Sequence, residues 1–238
     1  MISNVSPEDI LFIDAETVPS VPEFDGMSDT MKQLWEKKTM GIRAEGQSPA
    51  EIYERAGTYA EFGKIICISA GFLSGNLFRI KSVYGDDEKS MLGEFAGMVN
   101  KWAGRRDPYL CAHNGKDFDF PYICRRMIIN KIRIPDLINS AGKKPWEIKH
   151  LDTMELWKFG EYRHTVSLAL LAEIFDIPTP KDDIDGSMVA SVYWNDKDIK
   201  RIVSYCEKDV LSVARVMMRF LGRDTIRDED VESLTRLQ

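Results

Sequence analysis

The chain is short of the features that mark a secreted, membrane-embedded or zinc-stapled protein. Its four cysteines, Cys67, Cys111, Cys124 and Cys206, form no CxxC pair. That removes the clustered spacing of a zinc site and leaves reduced, buried thiols as the reading. Only three histidines occur, and His150 and His164 have no spaced partner with which to hold a metal. No apolar run approaches the roughly 20 residues that cross a bilayer, so no membrane association is expected. The opening MISNVSPEDI lacks a basic stretch leading into an apolar core, so no signal peptide is expected and the expected address is cytoplasmic. Positive charge is in deficit as well. A net charge of −6 argues against broad electrostatic coating of duplex DNA. It leaves room for a protein that grips a few nucleotides, because clustered carboxylates are part of that balance and bound divalent metal offsets them locally. Internal repeats and low-complexity runs are also missing.

What is there is an ordinary globular composition, 44% apolar and 29% charged over 238 residues. This suits one α/β domain, since single cores stop growing near ~250–300 residues. Residues 10–14, ILFID, read as a buried strand ending in an acid. Residues 20–62 change character. Pro, Gly and polar residues interrupt two helical pieces, Asp29–Lys38 and Ser48–Gly57, the second opened by Ser48-Pro49 and Glu51. This reads as an insertion or lid, or equally as a solvated decoration. Lys64–Leu73 and Leu77–Gly85 are strands joined by a Ser74-Gly75-Asn76 hairpin, with Phe78, Ile80, Ser82 and Tyr84 on one face of the second. Glu88–Trp102 is an amphipathic helix. Tyr109–Asn114 is a strand, Phe118–Lys131 a helix, Ile148–Asp152 a strand, Ser167–Phe175 a helix and Asp196–Leu221 one long last helix. The charged tail, about 222–238, is expected to be frayed or weakly helical. Antiparallel strands come first and parallel crossovers follow. The expected fold is therefore a ribonuclease H-like mixed β-sheet flanked by α-helices.

Three segments carry acids in suggestive settings. Asp14 and Glu16 close the first strand, and side chains at i and i+2 of a strand share a face, so both can reach one metal. Two solvated loop acids would look the same in isolation. Asp119 follows the Asn114-Gly115 turn and Phe118 at a helix start, where an acid stays ionised for metal but also serves as an N-cap. Tyr205 and Asp209 are four apart on the long helix and share its face. An acid beside a buried stripe is costly unless it is paired or metal-bound, and a tyrosine–aspartate hydrogen bond is the plain alternative.

DAE, then NGKDFDFPY, then YCEKD, in that order, resembles the proofreading exonuclease domain of family B DNA polymerases. More broadly the chain is similar to the DEDD exonuclease superfamily, in the subgroup with tyrosine in the last motif. The resemblance covers roughly Leu11 to Phe220. HLDTMELWKFG (His150–Gly160) and Asp185-Gly186-Ser187 resemble its intermediate landmarks. The resemblance implies a stand-alone exonuclease domain over 1–238, with Asp14, Glu16, Asp119 and Asp209 as metal ligands and Tyr205 orienting the attacking water. It implies two divalent ions, Mg²⁺ or Mn²⁺, as suits hard oxygen ligands. Asn114 and Phe118 match supporting positions near the terminal nucleotide, and Thr17 and Val18 follow the DxE where they can touch it. His113 stands where an aromatic is common, and the Asp29–Gly57 insertion is not a general feature of the family.

The expected activity is metal-dependent 3′→5′ hydrolysis of single-stranded DNA to nucleoside 5′-monophosphates. RNA or oligoribonucleotide trimming is the first alternative, decided by contacts to the 2′ position. A non-catalytic nucleic-acid-binding domain is the second. Phe12, Phe120 and Tyr122 read as core before they read as a stacking platform. Lys116, Arg125, Arg126, Lys131 and Arg133 can meet phosphates, although a solvated helix face explains them. Lys143-Lys144 reads as loop charge. Asp152 reads either as support for the metal ligands or as a helix cap.

Overall fold

The computed structural model describes residues 2–178 and 184–237. Gln238, the last residue of the expected tail, lies outside them. Six strands form one sheet, β1 (Ile10–Pro19), β2 (Gly63–Ser74), β3 (Leu77–Tyr84), β4 (Tyr109–Ala112), β5 (Leu151–Asp152) and β6 (Val231–Ser233). Their order is β5-β4-β1-β2-β3-β6. β1 to β3 form an antiparallel meander. β4 and β5 then add in parallel beside β1.

Alternation along β1 assigns the two faces. Leu11, Ile13 and Ala15 pack with Leu92, Phe95 and Val99 of α2 (Glu88–Trp102) and with Ile123 and Met127 of α3 (Asp119–Ile129). Ile10 and Phe12 pack on the other face with Val210, Val213 and Met217 of α7 (Ile199–Phe220). Gly71 permits the close approach of α7, since a Cβ there would lie 2.8 Å from a Val210 methyl. α4 (Thr153–Lys158) follows β5, α5 (Leu168–Ile174) follows it, and α6 (Val189–Ser191) runs into a π turn at Val192–Asp196.

The expected mixed sheet and its flanking helices are present, and two local expectations change. The expected helical piece Ser48–Gly57 is present, wound as a 3₁₀ helix over Ala50–Thr58. Its buried Ile52, Tyr53 and Ala56 satisfy either winding, so the pattern alone does not discriminate. The expected strand before Asp152 shrinks to the two residues that pair with Cys111 and Ala112. The tail is ordered. β6 pairs in parallel with β3 through Phe78↔Val231 and Ile80↔Ser233. The buried Arg215 guanidinium of α7 donates to the Ile226 carbonyl (2.9 Å), the Pro178 carbonyl (3.0 Å) and Asp228 (2.5 Å). Charge in a tail says nothing about backbone pairing, which any residue but proline can supply.

The 20–62 segment is a lobe with its own core. α1 (Asp29–Thr39) presents Trp35, fully buried among Tyr53, Tyr59 and Phe62 at ring separations of 5.9, 5.8 and 5.1 Å. Its indole N–H donates to the Pro49 carbonyl at 2.9 Å. The segment thus has a packed interior beneath its solvated faces.

Candidate active site

The alternation that turns Ile10 and Phe12 toward α7 turns Asp14 and Glu16 the same way. Glu16 stands opposite Cys67 on β2, and the register then slips so that Thr17 faces Ile65. Ile66 is the extra residue. A β-bulge placed directly after the second acid bends the strand pair and re-aims the end of the strand. Glu16 is buried and Asp14 partly exposed.

Asp119 reaches the same point from the opposite edge. It opens α3, but no side chain caps that helix. Its carboxylate instead accepts the backbone N–H of Ala15, between the two acids of β1, at 3.2 Å. The loop that delivers it is pinned by Asp152, whose oxygens accept the N–H groups of Asn114 and Lys116, both at 3.0 Å. Asp152 also caps α4 through Met154 and Glu155 at 3.0 and 3.2 Å. Of the two sequence readings of Asp152, the helix cap is present, and the same carboxylate also holds the loop that leads to Asp119. Asn114 adopts a left-handed backbone (φ 61°), and a Cβ on Gly115 would stand 2.3 Å from that of Ala112, so the turn needs glycine.

The third contributor is α7. Tyr205 hydrogen bonds Asp209 within the helix. Between them Cys206 points inward and donates its thiol to Asp14, 3.2 Å from Oδ2 and 3.5 Å from the backbone carbonyl. Asp14, Glu16 and Cys206 bring a ligand atom each within 4.8 Å of one another. Sequence reasoning left Cys206 as an inert buried thiol. The signal was its position three before Asp209, on the same helical face. Behind it lies a buried polar chain. Cys206 hydrogen bonds Cys67, Cys67 meets Ser69 at 3.8 Å, and Ser69 meets Ser82 at 2.7 Å. Ser82 donates to Glu207 at 2.9 Å, and Glu207 also holds Ser233 (3.2 Å) and Thr235 of the tail.

The electrostatics are those of crowded, desolvated acids. Burial, opposed by hydrogen bonds from Cys206 and Glu16, pushes the Asp14 carboxyl up to about 6. Burial, then the charges of Asp14, Asp209, Cys67 and Asp119, holds Glu16 well above the usual carboxylate range. Burial and Asp14 do the same to Asp119, against the N–H groups of its own residue and Ala15. Burial and the neighbouring Asp209, Glu16 and Asp14 raise Tyr205, so its hydroxyl keeps its proton at neutral pH. The four acids thus lie within one another's field, and that field favours a cation. The donor set fits a hard divalent ion, because carboxylate oxygens dominate it and the thiol is held protonated by burial and its acidic neighbours.

The remaining sequence candidates separate clearly. Thr17 is partly exposed at the bulge. Val18 is fully buried beside Ile66 and Val192, which leaves only its backbone to meet a ligand. Phe118 is half-buried and packs on Tyr122, 5.4 Å between ring centres. Phe12, Phe120 and Tyr122 are core. Arg126 is engaged in a buried pair with Glu88 (2.5 Å) and donates to the Ala60 carbonyl (2.8 Å). Lys116 pairs with Glu155. His113 bridges Thr153 and the Val166 carbonyl, both at 2.9 Å, as a structural residue.

A protein-family model described as a predicted 3′-5′ exonuclease related to the exonuclease domain of PolB matches residues 58–236. The matched stretch contains Asp119, Tyr205 and Asp209 and begins beyond Asp14 and Glu16. Among solved structures, the chain is similar to the family B DNA polymerase from the hyperthermophilic archaeon Pyrobaculum calidifontis. That likeness has a TM-score of 0.58 at 14% identity and covers 91% of this chain and 25% of that one. The chain thus spans about a quarter of the polymerase's length, and the likeness is one of fold. No curated protein matches the chain. Among the described residues, no helix is long and apolar enough to cross a membrane.

Proposed function

The chain belongs to the family of predicted 3′-5′ exonucleases related to the exonuclease domain of PolB, and we propose that it removes nucleoside 5′-monophosphates from the 3′ end of single-stranded DNA with the help of two divalent ions, Mg²⁺ or Mn²⁺. The observation that carries the reading is the meeting of three remote segments. Asp119 accepts the Ala15 N–H, and Cys206, one residue after Tyr205, reaches Asp14.

In this reading Asp14, Glu16, Asp119 and Asp209 hold the ions. Such ions, when bound, neutralise phosphodiester charge and lower the pKa of water. The chain's own groups do the rest. The protonated Tyr205 hydroxyl, fixed by Asp209, orients the attacking water by hydrogen bonding. The Ala15 N–H and the Asp152-pinned loop keep Asp119 in place. Cys206 donates to Asp14 and fixes its rotamer. Thr17, the Val18 backbone, Asn114 and Phe118 flank the terminal nucleotide.

The test is Mn²⁺-dependent release of mononucleotides from 3′-labelled DNA and RNA of equal sequence. Release from DNA is the expected result. Products on RNA alone would turn the reading to RNA trimming, and binding without cleavage in every metal would turn it to a binding domain.

A further inference from the structure

A cavity of about 450 Å³ lies on the same face of the sheet as the acids, at the end of β1. Val18, two residues beyond Glu16, pairs with Lys64 across the β1–β2 ladder. The Trp194 indole N–H donates to the carbonyl of Pro19, the last residue of β1, at 3.2 Å. Lys64 and Lys197 both open onto this cavity and converge on one ring, their ammonium groups 4.9 and 5.0 Å from the Trp194 centroid. Among the described residues neither forms an ion pair. The one acid lining the cavity, Asp86, is engaged by the Tyr193 hydroxyl, which also accepts from Lys64 at 2.7 Å.

Lys64 is half-buried and Lys197 exposed, and two like charges brought onto one ring repel each other. Burial lowers the basicity of Lys64, the charges of Asp86 and Glu88 oppose that, and the charge of Lys197 adds to it. An anion seated between the two lysines relieves the repulsion. Lys197 also holds a left-handed backbone (φ 56°) at the end of the π turn, where glycine would be relaxed and lysine is strained. We propose that this cavity binds a backbone phosphate of a single-stranded nucleic acid whose 3′ end lies at the acids, with Lys64 and Lys197 as the two positive contacts and Tyr84 along the same wall. The proposal rests on the reading that the protein handles a nucleic-acid strand. It adds a site that meets the strand beyond the terminal nucleotide.

The test is fluorescence anisotropy of a labelled 12-nucleotide DNA strand with metal-free protein in EDTA, repeated over a range of salt. Each phosphate contact on a single strand contributes about 0.7 to the slope of log affinity against log salt. Lys197→Gly is expected to lower the slope by about that amount and to weaken binding roughly three- to tenfold at low salt. Its melting temperature should not fall, because glycine suits that backbone. Lys197→Arg should keep the wild-type slope. Lys64→Met should lower it by the same amount. An unchanged slope in both Lys197→Gly and Lys64→Met would overturn the site. Loss of nucleoside 5′-monophosphate binding in Lys197→Gly, with the strand's slope unchanged, would overturn the strand assignment in favour of a free nucleotide. Because no hydrolysis occurs in EDTA, the result is independent of catalysis. A protein with the expected slopes that never cleaves keeps this site and loses the hydrolase reading, and one that cleaves with unaltered slopes does the reverse.

Discussion

Two regions a short distance apart along β1 are built on opposite physical terms. The 20–62 lobe buries Trp35 in an aromatic cage with its single N–H satisfied. The aromatic packing and the satisfied indole N–H lower the free energy of the fold. The acid pocket buries Glu16 and Asp119 and crowds them with Asp14 and Asp209, so burial and mutual repulsion oppose ionisation. A region that costs stability persists where its charge has a use, and regions of this kind concentrate at functional sites. The comparison predicts that substitutions in the two regions will act on different observables.

The largest separation should come from the acids. Asp14→Ala or Asp209→Ala should lower cleavage at least about a thousandfold, some 4 kcal/mol of barrier, with the circular dichroism spectrum unchanged. Wild-type turnover in either variant would remove that residue from the chemistry. Trp35→Ala should do the reverse, costing about 3–5 kcal/mol in a urea titration while the folded protein cleaves within about twofold of wild type. A large rate loss in the folded protein would tie the lobe to substrate handling and erase the contrast.

Next in size is the pH dependence of the metal-free protein. Asp14 sits at 3.8 when unfolded and about 6 when folded. The folded state therefore holds its proton more tightly. The corresponding stability is present below about pH 4 and is lost as pH rises through 6. The difference corresponds to about 3 kcal/mol. Asp14→Asn should remove that part of the slope, read as the change in melting temperature between pH 5 and pH 8. Added Mn²⁺ should raise the wild-type melting temperature at pH 8 and leave that of Asp14→Asn nearly unmoved. Equal slopes in the two proteins would mean that Asp14 is not the titrating acid. The smallest effect is expected at Tyr205. Tyr205→Phe keeps the ring and loses only the hydroxyl, so cleavage should fall roughly 10- to 100-fold while calorimetry with Mn²⁺ gives unchanged affinity. Weaker metal binding in this variant would show that the hydroxyl supports the ligands rather than the water.

Much of the pocket was legible because it is written in local periods. The i, i+2 spacing of Asp14 and Glu16 and the i, i+4 spacing of Tyr205 and Asp209 each fix a face without any knowledge of the partner. The turn at Asn114-Gly115 announced itself by residue type. Cys206 was less legible, because a buried thiol reads the same whether it touches a methyl group or a carboxylate. Arg126 misled for the opposite reason. A cationic helix residue says nothing of the Glu88 that neutralises it from 38 positions away. The tail was misread because β6 is held by backbone bonds and by Arg215 and Glu207, none of which leaves a pattern in the residues 231–233 themselves.

Residue order alone settled most element types before the tail, the faces that carry acids and the succession in which those acids arrive. Each comes from side-chain geometry within a few residues of one strand or helix. Only folding brought Asp119 to a backbone group 104 positions away and Cys206 to Asp14 across 192. Folding also set the bulge at Ile66 after Glu16 and drew two lysines onto Trp194. Those outcomes depend on strand register and helix packing, where the free energy is shared among many contacts and no single residue records it.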